Sequence, residues 1–84
     1  MRRYIMEFLG AMFLVLMYSM VGNPLAIGMM LAVLVYIGVH ISGAHYNPAV
    51  SLAMWLQGKI KRKDMLFYML FQLMGAFVAA ILYR

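Results

Sequence analysis

The apolar residues of this chain are gathered into three long runs, and that limits its fold more than any other feature. Residues 4–21, 25–41 and 65–83 hold about 18, 17 and 19 residues, against the ~20 (range 17–25) that carry a helix across a ~30 Å hydrocarbon core. Of the 84 residues 68% are hydrophobic and 11% charged, more apolar surface than a soluble domain of this size can hide. Backbone polar groups in lipid must be satisfied within each segment, so the expected class is an all-α membrane protein. A fourth apolar piece, residues 48–57, holds about 10 residues; it is too short to span and predicts a re-entrant half-helix.

The ends of these segments are marked. Asn23-Pro24 and Asn47-Pro48 each read as an N-cap followed by a first helical residue. Gly58 reads as a helix stop, and Asp64 as a cap for the third span. A secretory leader is disfavoured, because Glu7 interrupts the first run and no small-x-small cleavage site follows.

Several chemistries are disfavoured. The formal charge of +5 comes from basic residues beside apolar runs, without the aromatic-interleaved surface of a nucleic-acid binder. There is no Cys, and His40 and His45 with only Glu7 and Asp64 make a poor metal-ligand set. No nucleophile–base set can be assembled, so neither an enzyme nor a cofactor is expected. The eleven Met read as adaptable apolar packing.

The basic residues predict orientation. Arg2 and Arg3 precede the first span; Lys59, Lys61, Arg62 and Lys63 precede the third; the loop between the first two spans has none. A cytoplasmic N-terminus puts all six on the cytoplasmic side and only Arg84 outside. The half-helix then enters from the cytoplasm. The cluster before the third span reads first as a topology determinant and second as a contact for anionic lipid.

The stretch SGAHYNPAVSLA, residues 42–53, places an irregular polar segment at membrane depth. Such backbone is tolerated only where it is buried in protein or lines a wet cavity. Its carbonyls are free to accept hydrogen bonds. The half-helix that follows presents an N-terminus worth roughly +0.5 of an elementary charge, which repels cations. Acceptors, the Asn47 amide donor and that field together suit small neutral hydrogen-bonding solutes, water above all.

"HISGAHYNPAVSLAMWL" closely resembles the first Asn-Pro-Ala loop of the major intrinsic protein family, the aquaporins and glycerol facilitators. "EFLGAMFLV" resembles that family's first helix, and "FQLMGAFVAAIL" its third. The resemblance implies an inverted-repeat fold of which this chain supplies the first half: three transmembrane helices plus one re-entrant half-helix. It implies a passive channel for water or a small neutral solute such as glycerol, in the cell membrane. It makes Asn47, Pro48 and Ala49 the signature, with Asn47 the central donor. Gly43, Ala44 and His45 would supply carbonyls along the path, and His45 would brace the loop. Ile27 matches the second-span constriction position, and Glu7 would support the loop from the first span. The second Asn-Pro-Ala, usually followed by the filter Arg, has no counterpart here; Val50 follows the first. The expectation is therefore half of a complete pore, needing a second half-repeat or an oligomer.

Gln72, Gly75, Ala76 and Ala79 share a helical face and predict close helix packing. Tyr46 and Trp55 read as packing or interface aromatics, and His40 as pore-side or interfacial. Two other functions fit the length: a small proton-coupled transporter using Glu7, and a non-conducting aquaporin remnant.

Overall fold

The computed structural model describes Met1 to Arg84. It is entirely helical: α1 (Arg2–Met20), α2 (Pro24–Gly38), α3 (Pro48–Leu56) and α4 (Arg62–Leu82). α1 and α4 are long and apolar enough to cross a membrane. α2 has 15 residues, fewer than the expected second span. Its regular hydrogen bonding gives way beyond Gly38, where the N–H groups of Ile41 and Ser42 both donate to the Gly38 carbonyl. The chain then turns into the left-handed region at Gly43, with φ +90°.

Local chemistry accounts for the helix ends. The Asn23 side chain accepts from the N–H groups of Leu25 (2.9 Å) and Ala26 (3.2 Å), and Asn47 from that of Ala49 (2.8 Å). Each such cap contributes about 0.5–2 kcal/mol. At the end of α3, Gly58 (φ +77°) donates to Trp55 O and Lys59 to Met54 O, both at 2.9 Å, the paired bonds of a Schellman stop. Asp64 departs from its expected role. The N-cap of α4 is Lys61, which makes no side-chain capping bond. Asp64 lies in the first turn and reaches across to α1, accepting from the Tyr4 hydroxyl (2.7 Å) and pairing with Arg3 (3.0 Å).

The main packing surface joins α1 to α4; α2 lies against α1, and α3 against α4. Gly75 lets α1 and α4 approach, since a Cβ there would run into the Phe8 carbonyl. Ala11 and Ala79 are buried, and Tyr4 stacks on Phe67 and Phe71 at centroid distances of 5.3 and 5.6 Å. Polarity is inverted relative to a water-soluble domain. The largest fully buried side chains are Gln72, Glu7 and Ser51, whereas Leu25, Leu56 and Phe77 lie open on the outside. That arrangement suits a lipid surround, where the apolar exterior needs no cover. The long dimension, 35 Å, exceeds a ~30 Å hydrocarbon core.

Candidate functional site: a polar cluster beneath residues 42–47

The segment joining α2 to α3 carries two non-glycine residues in the left-handed region, Ala44 and Tyr46, each with φ +56°. Each costs of order 1–3 kcal/mol unless the surroundings hold it. Glu7, fully buried on α1, does much of the holding. One carboxylate oxygen accepts from the Ser42 hydroxyl (2.6 Å) and the His45 N–H (3.1 Å). The other accepts from the Tyr46 N–H (2.6 Å) and the Gln72 amide (2.8 Å). Ser42 Oγ in turn accepts from the Ala44 N–H at 3.1 Å.

Three successive N–H groups, those of residues 44, 45 and 46, are thus turned toward Glu7 and Ser42. In a trans peptide the carbonyl points opposite to the N–H, and the chain has no cis bond. The carbonyls of Gly43, Ala44 and His45 therefore project away from Glu7, and no group of the protein donates to them. The Ser42 carbonyl differs, because it accepts from the Tyr68 hydroxyl at 2.6 Å. The row leads to exposed Asn47. Its side-chain oxygen is taken by the Ala49 N–H, which leaves the amide nitrogen free to donate.

A second layer locks this geometry. Ser51 on α3 accepts from Gln72 Nε2 (3.0 Å) and lies 2.9 Å from His45 Nδ1. Ser51 is fully buried, and its contact with His45 links α3 to the segment before it. The Gln72 NH2 group faces two acceptors, which fixes the amide orientation and leaves its buried Oε1 without a donor. Tyr46 wedges its ring where side chains on Gly10 and Gly38 would stand, and its hydroxyl donates to Leu34 O at 2.6 Å.

Of the residues singled out from sequence, Glu7, Gly43, Ala44, His45, Asn47, Pro48 and Ala49 come together here. Ile27 does not; it lies in the first turn of α2, about 16 Å of helical rise before that helix ends at Gly38. His40 is exposed in the turn after α2. Sequence reading left out Ser42, Ser51 and Tyr68, and took Gln72 and Tyr46 as packing residues. A polar side chain inside an apolar run was the available signal, because in lipid it must find a partner. Chemically, the cluster presents a row of free carbonyl acceptors ending in one amide donor.

A family model described as "Major intrinsic protein" matches residues 1–84. Among curated proteins, the chain is 44% identical to aquaglyceroporin AqpS of Rhizobium meliloti (strain 1021), over 76% of this chain and 28% of that protein. It is 36% identical to glycerol uptake facilitator protein-like 6 of Lactiplantibacillus plantarum, over 95% of this chain and 41% of that one. It is 41% identical to aquaporin Z of Brucella melitensis biotype 1, over 89% and 33%. The chain thus spans about a third of the length of the curated relatives it matches. No solved structure matches it significantly. The chain belongs to the major intrinsic protein family and is an integral membrane protein.

Proposed function

We propose that these residues form the first half of a passive channel for water or a small neutral solute such as glycerol. The observation that carries this reading is the row of donor-free carbonyls at Gly43, Ala44 and His45, leading to the Asn47 amide. A solute would pass them in single file, donating to the carbonyls and accepting from Asn47. Pro48 and Ala49 start α3 as a re-entrant half-helix, whose N-terminal field disfavours cations. Ile27 is the constriction candidate, Glu7 the loop support, and a second half-repeat or oligomer closes the path. The relatives' names divide between water and glycerol, and aliphatic Ile27 does not choose between them. All four donors around Glu7 come from the protein itself and tie it to the loop and to Gln72, so no observation of its own favours the proton-coupled alternative.

Stopped-flow shrinkage of vesicles tests this. The chain alone should pass little water; adding a partner repeat with its own Asn-Pro-Ala-Arg should give fast flow of low activation energy. In that assembly Asn47→Leu should slow flow about tenfold, the effect of one lost hydrogen bond of ~1.4 kcal/mol. Unchanged flow at equal abundance would remove Asn47 from the path.

The same reading puts the N-terminus and the loop carrying Lys61 in the cytoplasm of the cell-membrane protein. A cysteine at position 61 should react with an impermeant thiol reagent only after the cell is opened. Labelling of intact cells would reverse the topology.

A further inference from the structure

We infer that Arg62, Lys63, Leu66, Phe67 and Leu70 form a binding site for one anionic phospholipid at the interfacial end of α4. These residues line a cavity of about 420 Å³. Their spacing, 62–66–70 with 63–67 beside it, puts them on one face of the helix. Two cations stand at the end of the helix where lipid headgroups lie, and three apolar side chains continue toward the bilayer. Leu66, Phe67 and Leu70 are all exposed, and Phe67 is held firmly by its stack on Tyr4.

Charge selects the occupant. The chain has two acids, and both are engaged elsewhere. Asp64 pairs with Arg3 and accepts from Tyr4; Glu7 is buried under four donors. Lys59, Lys61, Arg62 and Lys63 make no ion pair at all. A phosphodiester supplies the missing negative charge, and the acyl chain below it covers the apolar wall. A free phosphate ester would satisfy the cations and leave that wall bare, and a zwitterionic lipid would bring its own cation to the site. Arg62 also lies 5.9 Å from the Trp55 ring centroid, which fixes the guanidinium and places the chain's single Trp beside the headgroup.

Trp55 supplies the readout, and the test requires only membrane insertion, so it stands apart from conduction. The full chain is reconstituted in phosphatidylcholine vesicles carrying either acyl-brominated phosphatidylglycerol or acyl-brominated phosphatidylcholine. Brominated phosphatidylglycerol should quench Trp55 at a much lower mole fraction. R62Q/K63Q removes both charge-assisted contacts to the phosphodiester and should reduce the preference at least about tenfold. K59Q/K61Q removes the same charge outside the cavity and should retain most of it. Equal quenching by both lipids overturns the proposal. Equal loss in both double variants also overturns it, because that indicates diffuse attraction without a site. Displacement of the lipid by soluble glycerol phosphate would assign the cations to a free phosphate ester instead. A second copy of the chain on this face would appear as quenching that falls with protein density irrespective of headgroup, and would likewise overturn it.

Discussion

Glu7→Leu should cost the protein at least about 4 kcal/mol, most of the stability of a domain at the lower end of the usual range of about 5–15 kcal/mol. The substitution takes away the acceptor for four donors at once: the Ser42 hydroxyl, the N–H groups of His45 and Tyr46, and the Gln72 amide. A buried donor left without a partner costs about 1–3 kcal/mol, and these donors cannot all turn toward water. Tyr46 would also lose the bond that holds it at positive φ, and Ser42, which accepts from the Ala44 N–H, would lose its own anchor. Glu7→Gln keeps the shape. Its single carbonyl still serves two of the four donors, but its NH2 group faces the other two, so a smaller loss of about 2 kcal/mol is expected. Reversible unfolding in mixed micelles, followed by Trp55 fluorescence, measures both. A Glu7→Leu chain within 1 kcal/mol of the parent would mean that the segment holds its shape without the carboxylate.

Gly75→Leu is expected to separate α1 from α4. The first Cβ already collides with the Phe8 carbonyl and comes within 3.1 Å of Met12 N, both backbone atoms of a helix that cannot give way locally. Overpacking of this kind costs about 1–3 kcal/mol and more where backbone is the obstacle. The harm should spread, because Gln72 lies one turn away and its bond to Glu7 depends on the same helix separation. Gly28→Ala is the control. A Cβ at Gly28 meets nothing within 4 Å, and replacing Gly inside α2 should stabilise by roughly 0.5–1 kcal/mol. If the two variants unfold alike, close approach of α1 and α4 at Gly75 is not what holds the pair together.

The features legible in the sequence were those set by neighbours along the chain. Asn23 and Asn47 cap the residues immediately after them, and Gly58 closes the turn before it. Helix number followed from run length. Asp64 was misread because its position in the first turn of α4 is local, whereas the groups it meets, Tyr4 and Arg3, lie about 60 residues earlier on α1. The same holds for the polar cluster. Gln72 looked like one member of a small-residue face, and its 65-residue separation from Glu7 hid the bond between them. Ser51 and Tyr68 gave no signal beyond being polar groups in apolar runs.

By itself, the sequence determined that the chain is helical, that Asn23 and Asn47 cap helices and Gly58 stops one, and that Glu7 must find buried donors if it lies within the membrane. Those outcomes depend on capping, periodicity and the cost of an unsatisfied polar group, all of which act on the chain wherever its partners are. Only the tertiary structure decided which donors Glu7 receives, that Tyr46 fills the space over Gly10 and Gly38, and that the carbonyls of residues 43–45 face away from the cluster. Each of these depends on how far every helix is rotated about its axis and how closely its neighbour approaches. That rotation is set jointly by Gly75 against Phe8, Tyr4 against Asp64, and Gln72 between Glu7 and Ser51, contacts between residues far apart along the chain.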